Sequence, residues 1–173
     1  FLSIVYAMTL LENNEVDKII LCRPAVEAGE NLGFLPGDLK EKVDPYLTPL
    51  YESLEKILPK NRLNDLFLNN IIEIVPLAYM RGRTLENSFM ILDEAQNSTD
   101  KQMKMFLTRL GIGSRAVITG DITQVDLKKN KYSGLIQAIH ILKGIQGIGF
   151  YEFNKEDVVR HSLVKSIIEA YDE

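Results

Sequence analysis

Short apolar runs alternate along the chain with polar or amphipathic stretches. Five of these runs have the length and the flanking residues of buried strands. They cover Ile19–Cys22, Ile71–Val75, Ser88–Leu92, Arg115–Thr119 and Ile148–Phe153. Because helical sequence rather than a hairpin turn separates neighbouring runs, the pattern favours a mostly parallel sheet with helices on both faces. We therefore predict an α/β fold, with residues 1–173 forming a single domain.

Helical patterns occupy the stretches between these runs. They cover Phe1–Leu11, which is apolar on several faces, and Leu47–Leu58, Met103–Leu110 and Leu163–Ile168, where apolar residues recur at helical spacing. The third pattern follows the favourable N-cap residues Ser98, Thr99 and Asp100, and Gly111 is expected to end it. Residues 23–37 are rich in glycine and proline, so we predict a long loop there, and long loops are often functional.

Composition limits the classes to which the protein can belong. With 20 Lys and Arg against 24 Asp and Glu, the net charge is −4, which excludes a generally basic nucleic-acid-binding surface but not a local basic groove. The single cysteine, Cys22, has no partner for an internal disulfide and suits a cytoplasmic protein. The apolar runs are too short to cross a membrane, so we expect no membrane partner.

Two carboxylates directly follow the third apolar run. Asp93 stands where it can hold Mg²⁺ through water, and Glu94 where it can polarise the water that attacks a phosphate, as in nucleotide hydrolases. Open parallel sheets bind ligands at the edge where strands end. Solvated acids are also common at strand ends, and the pair alone leaves both interpretations open. Ala95 and Gln96 complete a four-residue signature of helicase-like ATPases and favour the hydrolase.

The fourth apolar run leads into a second polar segment. Gly120 permits a sharp turn, after which Asp121 and Gln124 present an acceptor and an amide near the same edge. Gln124 can contact a γ-phosphate or orient the water, whereas the alternative is a tight turn with a helix-capping Asp121. The position of this segment one crossover after the Asp93–Glu94 strand favours the phosphate role.

Four arginines are further candidates for phosphate contact. Arg160 enters the last helical pattern, where it can act as an arginine finger or form a surface salt bridge with a nearby acid. Arg23, Arg81 and Arg83 lie beside strands in loop-like sequence. They can contact the phosphates of a nucleotide or a nucleic acid, or remain ordinary surface residues.

A phosphate-binding loop of the form G-x-x-x-x-G-K-[ST] occurs nowhere in the 173 residues. Such a loop caps the N-terminus of a helix, and the first helical pattern starts at Phe1. Because the chain opens in mid-pattern, we expect the loop just upstream of Phe1 in a longer protein. Without it, we expect the 173-residue chain to bind MgATP very weakly.

Several longer motifs resemble those of the PhoH family. They are RPAVEAGE at 23–30, LGFLPGDL at 32–39, KVDPY at 42–46, YMRGRT at 79–84, LDEAQN at 92–97, GD at 120–121, QVDL at 124–127 and RHSLV at 160–164. The resemblance covers essentially the whole chain, and its motifs are long and family-specific.

The resemblance implies a cytoplasmic RecA-like P-loop NTPase domain, related to the cores of superfamily 1 helicases, that uses ATP and Mg²⁺. It implies that Asp93 and Glu94 are the Walker B pair, that Gln124 belongs to a γ-phosphate-sensing motif, and that Arg160 is the finger. Relatives fused to a nuclease domain suggest action on RNA. Because RecA-like domains often complete an ATP site with a neighbour's arginine, a homo-oligomer is expected.

ATP hydrolysis that drives an action on RNA is the leading functional hypothesis. The alternative is a nucleotide-regulated binding or assembly module without sustained turnover. The intact Asp93–Glu94 pair favours the enzyme, and RNA-stimulated phosphate release would discriminate the two.

Overall fold

The computed structural model describes residues 1–24, 39–127, 132–154, 157, 159 and 161–172, and it divides into two compact units, Phe1–Ile141 and Leu142–Glu173. The prediction of a single domain stays a prediction. In the described residues, the first unit holds a four-stranded parallel sheet in the order β2–β1–β3–β4. The strands are β1 (Lys18–Arg23), β2 (Ile72–Pro76), β3 (Ser88–Leu92) and β4 (Arg115–Ile118). The first four predicted strands and the α/β class are thus confirmed.

The described helices include all four predicted patterns. They are α1 (Leu2–Glu12), α2 (Leu39–Glu55), α3 (Lys60–Leu68), α4 (Asp100–Leu107), α5 (Gly134–Ile141) and α6 (Ser162–Asp172). Two 3₁₀ turns, Leu77–Met80 and Ala95–Asn97, follow β2 and β3. The sequence analysis did not predict α3 or α5. The predicted loop at 23–37 falls mostly outside the described residues, which resume at Leu39.

One face of the sheet packs against α1, α2 and α3. Alternate strand residues, such as Ile19, Leu21 and Phe89, join buried residues of these helices in one apolar core. The remaining buried members of this core are Ile4, Ala7, Met8, Leu10, Val16, Leu47, Leu50, Leu54, Leu58, Leu63, Ile72 and Ile91. Burial against the sheet therefore explains the apolar spacing of α2 and of one face of α1, whereas Leu2, Val5 and Tyr6 of α1 are exposed.

The other face of the sheet is buried as well. Ile20, Cys22, Met90 and Leu92 alternate with the first set along β1 and β3, and none of them is exposed. Burial raises the pKa of the Cys22 thiol from 9.0 to about 12, so the thiol stays protonated and Cys22 is a core residue. Because both faces of the central strands are covered, polar chemistry is confined to the strand ends.

A capping box begins α4 at the predicted position. The Thr99 hydroxyl accepts from the backbone N–H of Gln102, and the Gln102 side chain accepts from the backbone N–H of Thr99. The predicted role of Gly111 as the end of this helix is wrong, because α4 ends at Leu107 and Thr108 is its C-cap. Gly111 instead packs where a Cβ would lie 2.5 Å from the carbonyl oxygen of Leu85.

The predicted fifth strand is wrong. Residues 148–154 have no regular secondary structure, and the aromatic residues Phe150, Tyr151 and Phe153 are exposed. An apolar run becomes a strand only when a neighbouring strand supplies the ladder hydrogen bonds. The backbone hydrogen bonds of this segment are local, from Ile148 to Ile145 for example, and Gly147 adopts a positive φ of 90°.

Among the described helices, none is both long and apolar enough to cross a membrane.

Candidate active site

Two polar segments leave the sheet side by side at its carboxyl edge. β3 and β4 are parallel neighbours, and Leu92 pairs with Ile118 at their ends. The backbone N–H of Thr119 donates to the carbonyl of Leu92 at 2.9 Å, and that of Ala95 donates to the carbonyl of Thr119 at 2.9 Å. The turn after β3 and the loop after β4 are therefore hydrogen-bonded to each other from their first residues.

Asp93 is the first residue after β3, and its carboxylate has two neighbours. Its Oδ1 accepts from the hydroxyl of Thr119 at 2.8 Å. Its Oδ2 lies 3.5 Å from Nε of Arg23, the last residue of the adjacent strand β1. The side chain is 32% exposed, so it is fixed by these partners and still open to a ligand.

Glu94 combines an unusual backbone with two directed contacts. Its φ of 53° and ψ of 37° lie in the left-handed region, which costs a non-glycine residue about 1 kcal/mol or more and is found at functional sites. Its Oε1 accepts from Nη2 of Arg23 at 2.9 Å, and its Oε2 accepts from Nε2 of Gln96 at 2.7 Å. The orientation of this carboxylate is thus set from both sides.

The loop after β4 carries Asp121 and Gln124 at the same edge. Oδ1 of Asp121 accepts from the backbone N–H of Thr123 at 2.9 Å and from its hydroxyl at 2.7 Å. Nε2 of Gln124 donates to Oδ2 of Asp121 at 2.7 Å. The tight turn considered in the sequence analysis is therefore present. Both side chains belong to exposed residues, and the contact of Gln124 with a phosphate stays a prediction.

Gln96 connects the turn after β3 to the loop after β4. Its side chain is fully buried, and besides Glu94 it contacts the backbone of the loop after β4. Nε2 donates to the carbonyl of Gln124 at 3.1 Å, and Oε1 accepts from the N–H of Asp121 at 3.1 Å. The sequence analysis used Gln96 as part of a signature but assigned it no role.

The three candidate arginines that the structure describes lie in different surroundings. Arg23 lies against Asp93 and Glu94, and its Nη1 donates to the carbonyl of Tyr46 at 3.0 Å. Arg83 forms an ion pair with Glu73 at 2.9 Å on β2. Arg81 is exposed after the 3₁₀ turn that follows β2, and Arg160 lies outside the described residues. Of the three candidates that the structure describes, only Arg23 contacts the acid pair, a pairing that was not predicted from the sequence.

Two signals in the sequence point to the missed residues. Gln96 is an amide within a buried turn directly after two acids, and a buried polar side chain needs hydrogen-bond partners. Thr119 directly follows β4, as Asp93 directly follows the neighbouring β3, so its hydroxyl lies at the shared edge. Nothing in the local sequence indicated that Arg23 would pair with Glu94, 71 residues away in the chain.

The donor set at this edge is small. In the described part of the chain, no group of three or more His, Cys, Asp or Glu side chains could hold a metal ion. Asp93 and Glu94 nevertheless bind a positive group, since the Arg23 guanidinium contacts both carboxylates. A cation held here would take most of its ligands from water or from a bound phosphate, which is the usual situation of Mg²⁺.

The comparisons with known proteins agree with this architecture. Residues 1–172 match the family described as "PhoH-like protein". The chain is 61% identical over 172 residues to the PhoH-like protein of Bacillus subtilis (strain 168), covering 99% of this chain and 54% of that protein. It is 57% identical to the PhoH-like protein of Synechocystis sp., covering 99% of this chain and 52% of the relative, and 45% identical to Protein PhoH of Escherichia coli (strain K12), covering 99% and 49%.

The chain spans about half the length of the curated relatives that it matches. The match extends over nearly every residue of the chain, including the motifs on which the resemblance was based. The parallel sheet, the two acids after β3 and the hydrogen-bonded loop after β4 belong to the matched region. The chain is therefore a member of the family of PhoH-like proteins.

Proposed function

We propose that this chain is part of a Mg²⁺-dependent ATPase that acts on RNA in the cytoplasm. The observation that carries the proposal is the pair of acids after β3, joined through Gln96 to the loop that presents Asp121 and Gln124. Open parallel sheets bind their ligands at this edge, and ATP hydrolysis needs a carboxylate beside the phosphates and a polar group that orients the water. Family membership supports the same conclusion.

The residues at the edge fit a bound Mg²⁺. Asp93 supplies a carboxylate that is fixed at Oδ1 by Thr119 and carries a cationic neighbour at Oδ2. Carboxylate oxygens are the ligands that Mg²⁺ prefers, and Asp93 would hold the ion through water. When bound, Mg²⁺ would neutralise negative charge on the phosphates of ATP.

The chain's own residues divide the remaining work. Glu94 accepts a proton from the attacking water, because it is the carboxylate next to Asp93 and its side chain is 40% exposed. Gln124 releases its bond to Asp121 and offers its amide to the γ-phosphate or to the water. Arg160 is the proposed arginine finger that contacts the phosphates. In a homo-oligomer, a neighbouring copy would be a second source of such an arginine.

The proposal that the protein acts on RNA rests on the family resemblance and on one surface arginine. Arg23 and Arg83 are engaged with acids, whereas Arg81 is exposed after β2. Of the three arginines considered for nucleic-acid contact, Arg81 is therefore the best placed to meet a phosphate backbone.

A specific observation favours the second candidate, a nucleotide-regulated binding module without sustained turnover. Both oxygens of Glu94 have partners, Oε1 the cation of Arg23 and Oε2 the amide of Gln96. Both donors take up acceptor sites of the carboxylate, so fewer of its lone pairs face an attacking water. If Arg23 keeps this position when ATP binds, the protein would bind the nucleotide and exchange partners without hydrolysing it.

Phosphate release from ATP separates the two candidates. The assay uses a chain as long as the curated relatives, with and without single-stranded RNA. Glu94→Gln should lower turnover by roughly a hundredfold or more, because the general base is lost. Glu55→Gln, the same chemical change at an exposed position of α2, should match the wild type.

Each outcome has a clear meaning. RNA-stimulated release that is lost only in Glu94→Gln supports the ATPase. Binding of ATP without release by the wild type would favour the binding module, and equal turnover in wild type and Glu94→Gln would remove Glu94 from the mechanism.

A further inference from the structure

Gln96 makes three hydrogen bonds that only one orientation of its side chain can satisfy. Its Nε2 donates to Oε2 of Glu94 at 2.7 Å and to the carbonyl of Gln124 at 3.1 Å, and its Oε1 accepts from the N–H of Asp121 at 3.1 Å. A carboxamide has two N–H donors on one atom and an acceptor on the other, so these partners use both donors and the acceptor. The reverse orientation would set Oε1 against a carboxylate and a carbonyl.

The loop after β4 also packs directly on this side chain. A Cβ on Gly120 would lie 2.7 Å from Oε1 of Gln96 and 3.1 Å from its backbone nitrogen, which is closer than ordinary contact allows. Two residues further along the loop than Gln124, the N–H of Asp126 donates to Oδ1 of Asn97 at 2.7 Å. A displacement of the loop toward Gln96 would therefore push on this side chain, and a displacement away from it would stretch the two hydrogen bonds between them.

The contacts of Glu94 show why this matters. Arg23 holds Oε1 and Gln96 holds Oε2, so two groups from different parts of the fold compete to orient one carboxylate. Arg23 belongs to β1 and donates to a backbone carbonyl of α2, whereas Gln96 is hydrogen-bonded to the loop after β4. A shift of the loop would therefore act on the Glu94 carboxylate through the bond from Gln96.

We propose that Gln96 is a positioning residue that couples the loop at 120–124 to the orientation of the Glu94 carboxylate. The proposal rests on the proposed function, in which Glu94 activates water and Gln124 meets the phosphate. A loop that moves toward a bound γ-phosphate carries the N–H of Asp121 and the carbonyl of Gln124 with it. Gln96 follows, and Glu94 turns toward the water only when a nucleotide is in place.

A double-mutant cycle tests this coupling in a chain as long as the curated relatives. Gln96→Leu removes the three hydrogen bonds, and it should lower kcat for ATP by roughly 10- to 100-fold through misplacement of the base, while KM for ATP stays within about twofold. In a Glu94→Gln background, the same substitution should change the residual kcat by less than about twofold, because Gln96 acts through Glu94. Gln137→Leu, at an exposed position of α5, is the matched control and should leave kcat unchanged.

A second variant tests whether Gln96→Leu loses activity only because it fails to fold. Gln96→Glu keeps the side-chain size and the acceptor for Asp121 but faces Glu94 with a second carboxylate, and it should lower kcat at least as far as Gln96→Leu. Thermal unfolding of every variant is measured alongside. If Gln96→Leu does not fold, Gln96→Glu replaces it in the cycle, and loss of the fold in both would make Gln96 a structural residue and overturn the proposal.

The remaining outcomes separate this proposal from the one on which it rests. Losses that multiply in the double variant, or a rise in KM with kcat unchanged, would overturn the positioning role while leaving Glu94 as the base. A wild type without ATP hydrolysis would overturn the proposed function first, and the coupling with it.

Discussion

At the scale of single residues, Glu94 shows how the fold prepares a carboxylate for chemistry. Its left-handed backbone lies directly before the 3₁₀ turn at Ala95–Asn97, and the N–H of Ala95 donates to the carbonyl of Thr119 in the loop after β4. The strain of about 1 kcal/mol is offset by the hydrogen bonds that the turn makes with that loop.

Cys22 shows the opposite case, a reactive side chain that the fold makes inert. It lies in β1 beneath the site, fully buried, with a thiol pKa raised to about 12 by burial. Only the thiolate is nucleophilic, so the folded protein should not expose a reactive cysteine.

This shift predicts how stability depends on pH. The unfolded thiol ionises near pH 9.0, whereas the folded thiol does so only near pH 12. Between these values the unfolded state binds fewer protons, so the free energy of unfolding contributed by Cys22 falls by up to about 1.4 kcal/mol per pH unit. Urea unfolding at pH 8 and pH 10.5 should show a steeper loss for the wild type than for Cys22→Ala. Equal losses, or rapid reaction of the folded protein with a thiol reagent at pH 8, would contradict this burial.

At the scale of elements, the capping box of α4 anchors the segment that carries the site. The turn at Ala95–Asn97 leads through Ser98 to the cap residue Thr99, so the start of the helix fixes the far end of the turn. The N–H of Gly134 donates to the carbonyl of Ser98 at 2.7 Å, which ties α5 to the same point.

Removing the cap should destabilise the first unit. Thr99→Ala loses the side-chain bond to the N–H of Gln102 and should lower the free energy of unfolding by about 1 kcal/mol. Urea unfolding measures this loss, and Thr84→Ala at an exposed position outside any helix is the control. A loss no larger than that of the control would mean that the capping box does not stabilise α4.

Features that depend on residues close together in the sequence were predictable, and features that depend on distant residues were not. The edge shared by Asp93 and Gln124 was predictable, because parallel strands place their carboxyl ends together and local patterns identify the strands. α5 was missed because Leu135, Ile136, Ala138 and Ile139 form an apolar run without a clear polar face.

Other features depended on partners distant in sequence. The pairing of Arg23 with the acids and the hydrogen bonds of Gln96 depend on side chains that only the folded chain brings together. The apolar run at 148–153 carried a strand pattern, but in the described residues it has no strand beside it.

At the scale of the whole molecule, the candidate site lies at the carboxyl edge of the parallel sheet in the first unit. β3 is buried along its entire length, and the chain as a whole carries a net charge of −4. Asp93, Glu94 and Asp121 add three carboxylates to the proposed phosphate site, so ATP should be repelled there unless a cation intervenes. The central claim is therefore that this edge binds ATP together with Mg²⁺.

Calorimetric titration of MgATP into a chain as long as the curated relatives tests that claim most directly. Asp93→Ala should weaken binding about tenfold or more, since the carboxylate that holds the Mg²⁺ is lost. Glu94→Gln should bind within about threefold of the wild type, because Glu94 acts on the water and not on the nucleotide. Equal binding by wild type and Asp93→Ala would contradict the account and place the nucleotide elsewhere.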